Sequence, residues 1–391
     1  GELDSQGFQG RLEDLSIGLS FSAASDAFYG SLETLTENSD EAFRLLHLAL
    51  TEPRFDEEPM ARIRSQFEAR HLRESRDPDA IAGKALRQAL FEGHPYARPN
   101  RGTPESLAKI DREDLLAFAR ERFAKDRLIV GVVGDITPEE LGPRLDEVFG
   151  ELPEGQEPIE IPEAEVRAEQ TLIVETLEVP QSSAVFGQPG IARDDPDYYA
   201  AHVANYVLGG GGFASRLYEE VREKRGLAYS VYSYLSPREH GPIVVGGVAT
   251  RNAEMARTLD VIREEWTKLS EDGISAEELE DAVRYLTGSF VLNLSSSGRV
   301  ADLLVAIQRH DLGIDFMDRR SAFYEALTLE EVNRVAGELF DPEALTVVVV
   351  GQPEGLVATD GAGEPAGEGE KSPEPAAAPE DQSQEQPATS G

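Results

Sequence analysis

"ALTLEEVNRVAGELFDPEALTVVVVGQ", residues 326–352, reads as a capped helix, a short turn and an apolar strand ending in glycine. Thr328 and Glu331 have the spacing of a capping box, in which each side chain serves the other's backbone N–H. The run "LTVVVVG" is continuous and β-branched, as in a strand buried on at least one face. The same order stands 217 residues upstream, in "KIDREDLLAFARERFAKDRLIVGVVGD" (109–135). At that offset Ile110 matches Leu327, Leu115 matches Val332 and Ala119 matches Ala336. Phe123 then matches Phe340, Leu128 matches Leu345 and Gly134 matches Gly351.

A second pair agrees. "ENSDEAFRLLHLAL" (37–50) resembles "RNAEMARTLDVIREEW" (251–266), with Ala42 on Ala256 and Leu45 on Leu259, at an offset of 214. The chain therefore reads as two copies of one α+β unit, over 1–153 and 171–355, joined by a Pro- and Glu-rich linker at 154–170. The second copy opens at Thr171 with the strand "TLIVETLEVPQSSAVFGQPG" and the helix "DYYAAHVANYVLG". At the same offset their counterparts fall before residue 1, so the first copy is expected to lack its first strand and helix, roughly 45 residues.

Periodicity and breakers place strands at 16–22, 27–34, 128–134, 171–177, 182–188, 228–235, 242–249 and 345–350. Helices are expected at 39–51, 57–73, 78–92, 112–123, 138–148, 196–208, 214–225, 252–269, 276–291, 298–311 and 329–339. Blocks of helices and antiparallel-type strands point to an α+β fold rather than a doubly wound parallel sheet.

Composition excludes several functions. Net charge is −37 over 391 residues, which repels nucleic acid and anionic membranes and favours basic partners. No apolar run reaches the ~18 residues needed to span a bilayer. The absence of cysteine excludes disulfides, a thiol nucleophile and cysteine-held zinc. The six histidines are His47, His71, His94, His202, His240 and His310, and none stands within four residues of another. Each reads as a lone surface or core residue. From Leu356 to Gly391 the chain is Pro, Gly, Ala, Glu and Gln, an acidic tail expected to be disordered.

"LGGGGFASRLYEEVREKRGLAYS" (208–230) places Gly209, Gly210, Gly211 and Gly212 between two helices. No Gly-Lys-Ser/Thr follows, so the quartet is not a P-loop. It follows a helix rather than a strand, so it is not a dinucleotide fingerprint. Gly226 stands where a helix-ending left-handed turn needs glycine.

The two α+β halves, "GHPYARPNRGTPESLAKI" (93–110) and "LGGGG…SRLYEEVREKRGLAYS" together resemble the M16, or pitrilysin/insulinase-type, metallopeptidases. The resemblance covers about residues 1–355 and implies two homologous M16-type α/β sandwich domains of the LuxS/MPP-like kind, related by duplication. Catalytic members of the family carry His-x-x-Glu-His on the first helix of the first half. Its two imidazoles at i, i+4 share one helix face for zinc, and its glutamate activates the water. This chain has no such motif. The last ligand's slot falls on "PMARIRSQFEARHLRES" (59–75), where counting back from Phe91 places Arg70. Arginine has no lone pair to give a metal. Glu74, one turn on, shares that face.

The family's second half contributes an arginine and a tyrosine in the pattern R-x6-Y. Arg222 and Tyr229 fit it. A guanidinium and a phenol beside a scissile carbonyl stabilise the oxyanion of amide hydrolysis and hold the carbonyl in line. The quartet Gly209–Gly212 is similar to the glycine-rich, substrate-engaging loop of the non-catalytic subunit of mitochondrial processing peptidase. The resemblance thus implies a subunit without a cofactor, working on extended peptides beside an M16 partner that carries His-x-x-Glu-His and zinc. It also admits a self-sufficient zinc peptidase or a non-enzymatic scaffold. Relatives occur in bacterial periplasm and cytoplasm, which leaves the compartment open.

Overall fold

The computed structural model describes residues 1–155 and 159–359. Helices run over Ser5–Asp14 (α1), Ser39–Thr51 (α2), Glu57–Glu74 (α3), Pro78–Leu90 (α4), Pro104–Leu107 (α5), Arg112–Arg122 (α6) and Pro138–Phe149 (α7). They continue over Tyr198–Asn205 (α8), Met255–Asp272 (α9), Ala276–Gly288 (α10), Ser297–Arg309 (α11), Phe316–Glu325 (α12) and Leu329–Leu339 (α13). Capping boxes form at α7 (Thr137 with Glu140), at α10 (Ser275 with Glu278) and, as expected, at α13 (Thr328 with Glu331). α1 and α12 were not expected; α1 carries two glycines and α12 has little amphipathic pattern.

Strands Gly18–Ala23 (β1) and Phe28–Glu33 (β2) make an antiparallel hairpin, with Gly18 opposite Glu33 and Ala23 opposite Phe28. The other five, Thr171–Thr176 (β3), Gln181–Pro189 (β4), Ala228–Ser236 (β5), Ile243–Arg251 (β6) and Thr346–Gly351 (β7), form one mixed sheet of order β3-β7-β4-β6-β5. β3 and β7 pair in parallel, and all other neighbours are antiparallel. The β-branched run of β7 is buried along its whole length, on both faces.

One face of the sheet packs on α8, α9 and α13 around Phe186, Trp266 and Phe340. The other face packs on α4, whose Ala82, Leu86 and Leu90 recur every four residues. α4 lies over β4 and β7 and its cluster takes in Ile243 and Val245 of β6, while Tyr232 and Tyr234 of β5 stay about half exposed. Burying each of the large core side chains contributes roughly 1.5–3 kcal/mol relative to exposure. α4, from the first part of the chain, thus completes the core of the second. A converse contact exists: a Cβ at Gly131 would meet the Ala301 carbonyl of α11 at 2.8 Å. The Gln308 amide also donates to the Val130 carbonyl at 3.0 Å.

Three expectations are corrected. The strand expected at 128–134 has no strand assignment, because no neighbouring strand pairs with it among the described residues. The helix expected at 214–225 is wound mainly as a π-helical turn, Tyr218–Glu223. Residues 356–359, expected in the disordered tail, are held: Leu356 packs on the main core, and the Thr359 amide donates to the Leu172 carbonyl at 3.0 Å. The rest of the expected tail lies outside the described residues. The linker also has partners, with the Ala164 amide donating to the His240 carbonyl and the Arg167 amide to that of Leu90.

Candidate functional site: the Arg222–Tyr229 pair

Arg222 lies in the π-helical turn 218–223. π-turns inside helices are frequent at functional sites. The turn is closed by Gly226 at φ 59°, as its sequence position demands. The Leu227 amide donates to Val221 and the Gly226 amide to Arg222, each reaching one residue further back than in a Schellman turn. The chain then enters β5, where pairing slips between Ala228 opposite Thr250 and Val231 opposite Val248. This places Tyr229 in a β-bulge, a device that re-aims a side chain.

The two irregularities bring the pair together. The Arg222 guanidinium carbon stands 4.6 Å from the centroid of the Tyr229 ring. Tyr218, one helical turn before Arg222, offers a second ring at 4.8 Å, and Phe213 a third at 5.9 Å. Phe213 and Tyr218 meet edge to face at 4.8 Å. Three rings therefore hold one cation, each contact contributing about 0.5–1 kcal/mol, more where water is excluded. Among the described residues Arg222 pairs with one acid, Glu223, at 3.5 Å. Tyr229 is 81 % exposed and Phe213 80 % exposed, so the site opens outward from a fixed base. The Tyr218 hydroxyl is buried without a hydrogen-bond partner. Phe213 and Tyr218 were not singled out in the sequence, although Tyr218 and Arg222 share one helix face.

The charges around Arg222 are tied down. Glu220 accepts from Lys224 at 2.6 Å and from Arg225, and these bonds hold its carboxyl below its ordinary range. Arg216 forks onto Glu278 at 2.6 and 2.7 Å, fastening the loop to α10. The aromatic cage leaves Arg222 as the least committed cation of this turn.

The glycine quartet is a packing device in the first instance. A Cβ at Gly209 would meet the Ser233 hydroxyl at 2.4 Å and its amide at 2.7 Å. At Gly210 it would meet the Asn205 amide, and at Gly211 the Tyr206 carbonyl. Gly212 has open space but a φ of 56°. The Asn205 amide donates to the Ser233 carbonyl at 3.2 Å, and the Ser233 hydroxyl donates back at 2.8 Å. These bonds lock the loop onto the edge strand beside Tyr229.

No group of three or more potential ligands that could hold a metal occurs among the described residues. Arg70 and Glu74 do share a helix face, but Arg70 donates to Glu74 at 2.9 Å, and Arg101 approaches the same oxygen at 3.5 Å. Glu74 is thus neutralised. The histidines stand apart: His94 bonds the Pro162 carbonyl, His47 that of Val148, His202 meets the Tyr324 hydroxyl, and His240 meets Glu163. No helix among the described residues is by itself long and apolar enough to cross a membrane.

The family model of the peptidase M16 inactive domain matches residues 109–286. The chain belongs to the peptidase M16 family and carries its non-catalytic domain. A non-peptidase homologue, YmxG of Helicobacter pylori, is 31 % identical over 289 residues, covering 74 % of this chain and 66 % of that protein. An uncharacterized zinc protease of Mycobacterium tuberculosis is 32 % identical over 281 residues, covering 68 % and 61 %. The crystal structure of a peptidase M16 inactive domain from Pseudomonas fluorescens superposes with a TM-score of 0.84 at 28 % identity, over 90 % of this chain and 84 % of that one. The chain spans 58–66 %, less than two thirds, of the length of four curated relatives it matches.

Proposed function

We propose that this chain is the subunit without zinc of a two-chain M16 endopeptidase. It comprises two homologous halves, 1–153 and 171–355, that exchange α4 and α11. Its partner carries His-x-x-Glu-His and the zinc. This chain supplies Arg222 and Tyr229 across the interface, where they hold the scissile carbonyl and stabilise the oxyanion. The substrate is an extended peptide, neutral or basic in keeping with the charge of −37, added alongside a sheet edge in the chamber between the subunits. Gly209–Gly212 shape the wall it passes.

The observation that carries this reading is the caged, outward-facing stack of Arg222 on Tyr229. It combines a fixed guanidinium with a solvent-facing phenol. The test is reconstitution with the zinc-bearing partner from the same source. Zinc analysis of each separated chain should find the metal in the partner, and Arg222→Ala should abolish most cleavage. Stoichiometric zinc in this chain would overturn the reading.

A second reading rests on the Helicobacter pylori relative, a non-peptidase homologue. Under it the chain is a scaffold that binds peptide without hydrolysis. Unchanged cleavage by both Arg222→Ala and Tyr229→Phe would favour it.

A further inference from the structure

The sheet face that α4 leaves uncovered borders a cleft of about 410 Å³ between α4 and strands β4, β6 and β5. Leu86, Leu90, Val185 and Val245 give it an apolar floor. Tyr232 and Tyr234, stacked at 6.1 Å and about half exposed, form its open wall. Two guanidinium groups also line it, Arg87 from α4 and Arg238 from the loop after β5.

Neither arginine has a carboxylate within ion-pairing distance among the described residues. The Arg87 Nε and one terminal nitrogen of Arg238 are buried without any acceptor. The acids that act on them are engaged elsewhere. Glu74, near Arg87, is held by Arg70 and Arg101. Asp26, near Arg238, accepts from the Tyr96 hydroxyl and the Glu239 amide. Arg238 rests on the rings of Phe91 and Tyr96, at 5.0 and 5.3 Å, which fixes it without neutralising it. Burial, and for Arg238 the charge of Arg87, push both below the ordinary arginine range. In a chain of charge −37, two cations left together and unpaired are a built feature that calls for an anion.

We infer that this cleft is a carboxylate-binding site, in which Arg87 and Arg238 grip the free C-terminal carboxylate of a peptide while its terminal apolar side chain lies on the floor beneath Tyr232 and Tyr234. Guanidinium groups match a carboxylate geometrically. The apolar floor selects an organic acid over a bare inorganic ion. The carboxylate of Asp79, two turns before Arg87 on α4 and bonded to the Ser183 hydroxyl, makes the far end of the cleft acidic. That end rejects polyanions such as nucleic acid. Tyr232 and Tyr234 follow Tyr229 on one strand by three and five residues, about 10–17 Å at strand rise. A peptide end held here therefore lies a few residues from the Arg222–Tyr229 pair. That the ligand is a peptide rests on the function proposed above; the carboxylate preference rests on the cleft alone.

The test is calorimetric titration of the full chain, without partner or hydrolysis, so it stands whatever the catalytic role proves to be. The probes are acetyl-Ala-Ala-Phe as the free acid, the same tripeptide as its C-terminal amide, and inorganic phosphate. The acid should bind at least tenfold more tightly than the amide and than phosphate. Arg87→Gln and Arg238→Gln should each weaken the acid at least tenfold, with the melting temperature unchanged or raised because an unpaired buried charge is removed. Equal binding of acid and amide, tighter binding of phosphate, or undiminished binding by both variants would overturn the proposal. The acid–amide comparison needs no variant to fold.

Discussion

The guanidinium of Arg222 stacks 4.6 Å over the ring of Tyr229, a contact made by a π-turn on one side and a β-bulge on the other. Each irregularity costs regular hydrogen bonding, and together they aim two side chains outward. In the reconstituted two-chain enzyme, Tyr229→Phe is expected to lower kcat about 10²–10³-fold if its hydroxyl serves the oxyanion. Its exposure limits the stability change to within about 0.5 kcal/mol. Arg222→Lys keeps the charge but loses the flat surface that stacks on three rings, so it should also fail. Steady-state kinetics and melting curves on the same samples check both.

The glycine quartet separates two physical causes. Gly209→Ala forces a methyl group into the Ser233 backbone and is expected to cost about 1–3 kcal/mol. Gly212→Ala meets no atom but must hold φ 56°, at about 1–2 kcal/mol. Gly10→Ala, on α1 with open space around it, should stabilise by about 0.5–1 kcal/mol. Urea unfolding of the three variants ranks them. A Gly209→Ala as stable as the parent would show that the loop is not pinned on β5.

Much of this was legible in the sequence because local rules and tertiary structure agree. The capping boxes and the β-branched run of β7 state their own conformations. Gly226 is the one residue type suited to its turn. What stayed hidden depends on distant partners. Residues 128–134 have the composition of a strand but no ladder beside them among the described residues. The packing of α4 on β4 and β7 joins segments far apart in sequence. Tyr218 and Arg222 share a face at ordinary helical spacing, but Phe213 and Tyr229 join the cage only through the loop and the β-bulge, which no helical template suggests. The arginines of the cleft, Arg87 and Arg238, are distant in sequence and carry no motif.

Trp266 gives the core an internal reporter. It is the sole tryptophan, fully buried, and its indole N–H donates to the Gln188 side-chain carbonyl at 2.7 Å. The other end of Gln188 donates to the Leu339 carbonyl at the end of α13. Gln188→Leu would leave a donor and an acceptor buried without partners, each costing about 1–3 kcal/mol. The expected result is an unfolding midpoint at clearly lower denaturant, read from Trp266 fluorescence. Phe186 and Phe340 stay in contact with the indole, so the native emission should remain that of a buried ring.

Acid should expose the cost of burying His202. Burial, helped by the nearby charges of Arg320 and Arg193, lowers its pKa to about 4, while its ring nitrogen meets the Tyr324 hydroxyl at 2.9 Å. The folded state thus takes up this proton less readily than the unfolded chain, whose histidine titrates near 6.5. Between those values the unfolded state binds more protons, so stability falls as pH drops from 6.5 towards 4. The loss from this residue amounts to at most about 3 kcal/mol. Glu41 behaves differently. Hydrogen bonds from Arg44 and Arg11 hold it at about 2, so its contribution is complete above 4.5 and is lost only below that value. The two windows barely overlap. His202→Gln should flatten the stability profile between pH 6.5 and 4.5 and leave the steeper fall below 4.5 in place. An unchanged slope in the upper window would show that His202 titrates normally and that the α8–α12 contact admits water.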